Sequence, residues 1–328
     1  MVWFKFIICI LIIFFSGRQI AKHGDIIAEK SGLGGVWIGL ILLASITSLP
    51  ELFTGVSAIL LVDAPDLTVG DLLGANAFNL FNLALLDIAH KNSSIIATAS
   101  QTHRLTGWLS LMLILVVAIS IFISSRFYNM PMGWIGWYTP IIILLYFFSV
   151  RKIFLFEKHQ STHQETKLCY EEESAGKAYL YFFISAAFII GAGIWLATIG
   201  EEIAQTYGWG QSFIGSLFLA FTTTLPEITV SFTAMRMGAK DIAVANLIGS
   251  NLFNLTIIPI DDLIYLKGPV LAAVSESNLI TALAVMLMTL IFIVGLRFKP
   301  RRFFRLSWWN CSLIALFLIS AYFSFIMA

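Results

Sequence analysis

Thr47-Ser48-Leu49-Pro50-Glu51 and Thr223-Thr224-Leu225-Pro226-Glu227 are one motif written twice. Each copy lies in a long apolar stretch. Gly74-Ala75-Asn76-Ala77-Phe78-Asn79 follows the first, and Gly249-Ser250-Asn251-Leu252-Phe253-Asn254 follows the second. A carboxylate inside a hydrocarbon-spanning helix is costly, so two at matched positions need a reason. A shared cation site near the middle of a membrane supplies one.

The likeness extends outward from the motif. A shift of 176 sets Gly24-Asp25 on Gly200-Glu201, Ile27-Ala28 on Ile203-Ala204, and Gly32 on Gly208. Beyond the motif the shift is 175, from Asp66/Asp241 through Asn79/Asn254 to Asp87/Asp262, as one residue lost from a loop would produce. A match of this length reads as internal duplication.

Composition sets the medium. Of 328 residues, 59% are hydrophobic and 12% charged, too apolar for a soluble domain. The partner this implies is a lipid bilayer; a net charge of +1 gives no electrostatic case for nucleic acid. Cys9, Cys169 and Cys311 are scattered and suggest neither a disulfide framework nor a zinc cluster. No feature implies an enzyme, a cofactor or an obligate protein partner. Residues 1–17 resemble a signal peptide but lack a small-x-small cleavage site, and the repeat begins close behind them. They read as a retained helix.

A spanning helix needs about 20 apolar residues. Such stretches lie near 2–29, 34–62, 66–88, 105–125 and 132–156, then near 178–206, 210–237, 241–266, 275–297 and 304–326. Five per half makes the second half enter the membrane in the opposite sense. The expectation is an all-α membrane protein of ten transmembrane helices in two inverted five-helix repeats, the plan of secondary transporters. The repeats occupy 1–156 and 178–328, with a linker at 157–177. Alternate loops hold Lys30, Lys91, Arg104, Arg151, Lys152, Arg236, Lys240 and the Arg301-Arg302 pair, while the opposite loops hold only Arg126 and Lys267. By the positive-inside rule both termini face outward. The linker carries His159, His163 and Glu171-Glu172-Glu173, and reads as a solvated loop rather than a regulatory cation site.

Thr47, Ser48 and Glu51 share a helix face at spacings of three and four. Pro50 and Pro226 lack an N–H, freeing the carbonyls of Ile46 and Thr222 and kinking both helices. Freed carbonyls at membrane depth must be buried or face a watery cavity. Hydroxyls, carboxylates and carbonyls are hard oxygen ligands, suited to Na+ or Ca2+ and not to zinc or copper. Ala75 shares a face with Asn79, and Ser250 with Asn254. Gly74 and Gly249 permit close helix approach, so this block is either the motif's partner or a packing seam.

Both blocks resemble the α-repeats of the cation/Ca2+ exchanger superfamily, which includes the Na+/Ca2+ exchangers. The resemblance implies a ten-helix antiporter that exchanges Ca2+ for Na+ by alternating access, its ions held between the second, third, seventh and eighth helices. The family's Thr-Ser-x-x-Glu ligands fall on Thr47, Ser48 and Glu51, and on Thr223, Thr224 and Glu227. Its Na+-binding carbonyls fall on Ala44 and Ala220, and its second polar pair on Ser250 and Asn254, with Asn79 in the first repeat. In this family the first and sixth helices slide over the core, a role for which Gly17, Gly24, Gly191 and Gly193 offer smooth surfaces.

Two departures matter. Ala75 stands where the family usually carries Ser, and Asn254 matches a position that is often acidic in one repeat. Asp71, matched by Asn246, is a candidate source of replacement charge or an access step; the alternative is an acid favoured by its helix dipole. Asp87 and Asp262 read as interfacial residues at helix ends. H+ in place of Na+ is the nearest competing function. An intramembrane enzyme rests only on Thr68-Val69-Gly70-Asp71, a faint likeness to Gly-x-Gly-Asp. A channel or sensor that kept the fold is the third possibility. Short loops point to a prokaryotic inner membrane.

Overall fold

The computed structural model describes residues 2–30, 41, 43–90, 94–126, 131–160, 174–298 and 306–327. Helix α1 is Val2–Lys30. The second span is broken: α2 is Ala44–Thr47, Ser48 interrupts it, and α3 is Leu49–Ser57, continued by π-helical winding over Ala58–Val62. Next come α4 (Pro65–Ala89), the short α5 (Ile95–Thr98) and α6 (Gln101–Arg126). A small hairpin pairs Pro131 with Gly136 and leads into α7 (Tyr138–Gln160). The second half begins with α8 (Ala175–Tyr207). It then has α9 (Gln211–Phe213), a π-helical stretch over Ile214–Leu219, α10 (Ala220–Thr223) and α11 (Leu225–Arg236). Helices α12 (Lys240–Ile264), α13 (Ser277–Phe298) and α14 (Trp308–Met327) complete the described chain.

Among the described residues, eight helices are long and apolar enough to cross a membrane. The pair Gln211–Thr223 and Leu225–Arg236, bent by 43°, makes a ninth, and Leu49–Val62 is a shorter apolar helix where the expected second span lies. Large side chains such as Phe4, Leu144, Phe183 and Leu318 face outward, while Asn76, Asn79, Asn246 and Asn254 are buried. This inside-out arrangement suits hydrocarbon solvent, where polar groups gather in the bundle interior. The chain is a multi-pass integral membrane protein.

Polar contacts show the inversion directly. Asn76 donates to the carbonyl of Asn251 at 3.3 Å, and Asn251 donates to that of Asn76 at 3.2 Å. Asp66, at the start of α4, caps the start of α13 through Ser275 N at 2.7 Å and Asn278 Nδ2 at 2.7 Å. Its counterpart Asp241, at the start of α12, caps the start of α6 through Ser100 N at 2.9 Å and meets His103 Nε2 at 3.0 Å. Each partner pair is again 175 residues apart. Thr68 near the start of α4 touches Asp261 near the end of α12, so α4 and α12 run antiparallel.

Three helix boundaries differ from the sequence reading. A helix from 132 is wrong, because Gly133 at φ 74 turns the hairpin and α7 starts only at Tyr138. The span expected as one helix over 210–237 is four segments. The second and seventh spans break at Ser48 and Thr224, two residues before their prolines, where ψ opens to 13° and 0°. A proline ring clashes with the turn before it, and the strain is relieved there. The linker residues 161–173, with Cys169, His163 and Glu171 to Glu173, lie outside the described part, as does the side chain of His159.

Candidate functional site

The two motifs meet in the core. Glu51 and Glu227 are both 0% exposed. Ser48 Oγ, from the first motif, donates to Glu227 Oε1 at 2.9 Å, and Ser250 Oγ donates to the same oxygen at 3.3 Å. Thr47 Oγ1 lies 3.5 Å from both Ser250 Oγ and Asn246 Oδ1. Asn246 in turn donates to the Glu227 carbonyl at 3.3 Å and to Ser231 Oγ at 3.1 Å. A hydroxyl of one repeat therefore meets the other repeat's acid, beside a hydroxyl from that acid's own repeat.

The mirror-image side is emptier, for a legible reason. The counterparts of Ser48 and Ser250 are Thr224 and Ala75. Thr224 Oγ1 instead donates to the carbonyl of Ala220 at 2.7 Å, and Ala75 has no hydroxyl. Neither oxygen of Glu51 has a hydrogen-bond partner among the described residues. The amides of Asn79 and Asn254 are likewise buried and unpartnered. Burying a polar group without a partner costs roughly 1–3 kcal/mol, so this cluster is unfinished as protein alone. Glu51 and Glu227 Oε2 are hard oxygen donors with open coordination, as are the amide oxygens of Asn79 and Asn254.

Asp71 meets the second motif through Thr223. It is 0% exposed, six residues into α4, and Thr223 Oγ1 donates to its Oδ1 at 3.0 Å while Oδ2 stays open. The proposed carbonyl ligands are engaged within their own helices. Ala44 O accepts Ser48 N at 3.0 Å, and Ala220 O accepts Thr224 N at 3.1 Å. All twelve candidate residues, Thr47, Ser48, Glu51, Asn79, Ala44 and Asp71 with Thr223, Thr224, Glu227, Asn254, Ser250 and Ala220, are buried.

Close backbone contact frames the cluster. A Cβ on Gly74 would lie 2.3 Å from the carbonyl oxygen of Ser216, and one on Gly215 would lie 2.5 Å from that of Leu67. Only glycine lets α4 seat against the π-helical stretch 214–219, where small residues replace the hydrophobic effect as the packing device. Gly17 crosses Pro226, and its counterpart Gly193 crosses Phe53 and Thr54. Gly24 abuts Ile46, whereas Gly191 faces open space and has no part in a crossing.

Asp87 and Asp262 lie outside the cluster, at the helix ends. Asp262 accepts from Gly136 N at 2.8 Å, Tyr138 OH at 2.6 Å, Val270 N at 2.6 Å and the Thr139 hydroxyl. Asp87 takes the equivalent amide, Ile95 N, at 2.6 Å, together with Ser94 and Asn310. Sequence reasoning passed over Asn246 as a participant and Asp261 altogether. The duplication pattern hides Asp261 because its counterpart is Leu86.

The family profile described as "Sodium/calcium exchanger protein" matches residues 1–155 and 177–326. The chain belongs to the sodium/calcium exchanger family. It is 26% identical over 257 residues to inner membrane protein YrbG of Escherichia coli (strain K12), covering 77% of this chain and 76% of that protein. It is 24% identical over 254 residues to the putative antiporter CaxA of Alkalimonas amylolytica, covering 75% of each. Among solved structures, the sodium-calcium exchanger NCX_Mj superposes with a TM-score of 0.64 at 19% identity, covering 97% of this chain and 98% of that one. Native YfkE gives 0.68 at 18%, covering 98% and 92%. Family membership makes this chain a cation/Ca2+ transporter and not an enzyme, with Ca2+ and Na+ as the family's ions.

Proposed function

We propose that this chain is a secondary antiporter exchanging Ca2+ for Na+ by alternating access at the cluster around Glu51 and Glu227. The observation that carries the reading is the Ser48–Glu227 contact. It ties the two inverted motifs into one buried set of oxygen donors whose other acid, Glu51, has no hydrogen-bond partner among the described residues. Bare carboxylates buried together are untenable unless a cation or protons neutralise them, so the departing ion must be replaced. That requirement couples the two fluxes.

Charge arithmetic sharpens the proposal. Glu51 and Glu227 balance one Ca2+. Asp71, hydrogen-bonded to Thr223, adds a third negative group. Three carboxylates balance three monovalent ions, or one Ca2+ with one monovalent ion. A second reading, H+ in place of Na+, draws support from Glu51, whose two oxygens have no hydrogen-bond partner among the described residues and leave room for a proton as well as a metal ion. Transport of Ca2+ in liposomes, driven by a Na+ gradient at fixed pH or by a pH gradient alone, separates the two.

In this reading the repeats are 1–156 and 178–328 with a linker at 157–177. The break in the family match between 155 and 177 supports that division. The basic-residue asymmetry supports placing both termini outside a prokaryotic cytoplasmic membrane. Gly17 and its counterpart Gly193, each crossing the opposite repeat's motif helix, support α1 and α8 as the sliding pair.

A further inference from the structure

We propose that Asp261 is an exchangeable proton site, one helical turn outboard of Asp71 and separate from the central cluster. Asp261 is 0% exposed near the end of α12. Thr68 Oγ1 donates to its Oδ2 at 3.1 Å, and Oδ1 has no partner among the described residues. Among those residues no Lys, Arg or His forms an ion pair with it. A buried membrane carboxyl without a counter-ion is a functional group by default.

Two observations argue against a purely structural role. Every other acid that α12 shares with the first repeat has a polar counterpart: Asp241 matches Asp66 and Asp262 matches Asp87. Asp261 matches Leu86, a buried apolar side chain. The loop that such an acid could anchor is already held by Asp262, which binds the Gly136 and Val270 amides.

The surroundings select the ligand. A Cβ on Gly55 would lie 2.5 Å from Thr68 Oγ1 and 3.1 Å from Asp261 Oδ2. The α3 backbone therefore presses on the pair, and not even a methyl group fits between them. The spot offers two carboxylate oxygens and one hydroxyl, against the roughly six to eight oxygens that Ca2+ takes. A proton needs no such shell. The elements packed against α12 carry Asp71 along with Asp66 and Asp87 on α4, Glu51 on α3, Glu227 and Arg236 on α11, Tyr138, Tyr146, Arg151 and Lys152 on α7, and His103, Arg104 and Arg126 on α6. Tyr138 is bound to Asp262 and His103 to Asp241. Thr68 lies three residues before Asp71, so Asp261 stands between Asp71 and the membrane face where Asp63 meets Lys267. The O–H bond forms with a proton taken from water on that face and breaks by returning it there.

The test uses the full-length protein in phospholipid vesicles. Infrared difference spectra between acid and alkaline buffer are expected to show a carboxylic C=O band that bleaches in alkali, and Asp261→Asn is expected to delete it while Asp71→Asn keeps it. Absence of any Asp261-dependent band overturns the proposal. If Asp261→Asn is not recovered folded, Thr68→Val replaces it. Losing the donor to the charged form is expected to move the bleaching toward alkaline pH, and an unmoved band overturns the proposal. A second arm, which alone rests on the antiporter reading, follows Ca2+ uptake against pH on the Asp63–Lys267 face. Asp261→Asn is expected to lose the dependence seen in the wild type, and an identical profile overturns the coupling. A wild type that moves no Ca2+ under any gradient refutes the antiporter reading, and the infrared arm still decides the proton site.

Discussion

Glu227 rests under two hydroxyls, while Glu51 has none. Both are needed to balance a divalent ion. Removing one member of a buried charge set costs about 3–5 kcal/mol, or roughly 10²–10⁴-fold in affinity at about 1.4 kcal/mol per decade. Glu51→Gln and Glu227→Gln are each expected to weaken Ca2+ binding by that factor, measured by calorimetry in detergent. Equal affinities in variant and wild type would remove the residue from the site. Asp71→Asn should leave Ca2+ transport measurable and lower the steepness of its Na+ dependence, since one monovalent countercharge is gone. An unchanged Na+ curve would return Asp71 to a structural role. The motif residues were legible because duplication prints them twice. Asp261 was not, because its counterpart is Leu86, and the engagement of Asn246 depends on a helix–helix contact that spacing alone does not reveal.

The spans themselves could be read from apolar length, and α4, α8 and α12 end within a few residues of expectation. What failed was finer. The hairpin ahead of α7 was taken for helix, whereas the breaks at Ser48 and Thr224 fall within the kinks that Pro50 and Pro226 led one to expect. That hairpin is held by Asp262, whose four donors would face an amide in Asp262→Asn. Hydrogen bonds to charged groups contribute about 1.5–3 kcal/mol each. The variant is expected to lose about 3 kcal/mol in thermal unfolding while keeping its Ca2+ affinity in the folded fraction. A lowered affinity without destabilisation would mean that Asp262 belongs to the site. Gly74→Ala presses a methyl onto the Ser216 carbonyl and is expected to cost about 1–3 kcal/mol of stability, as overpacking does. Unaltered stability would show that α4 and the 214–219 stretch separate freely.

Across the whole molecule, inversion accounts for the pairing of contacts: Asn76 with Asn251, Asp66 with Asp241, Asp87 with Asp262, Gly17 with Gly193. The two halves are not identical at the cluster: Ala75 answers Ser250, and Asn246 answers Asp71. The most direct test of the central claim is Ca2+ uptake into liposomes carrying the purified protein, driven by an outward Na+ gradient at fixed pH and repeated with Glu51→Gln and Glu227→Gln. The account predicts uptake that follows the Na+ gradient, reverses when the gradient is reversed, and vanishes in both variants. Uptake that ignores Na+ or survives in either variant would contradict it.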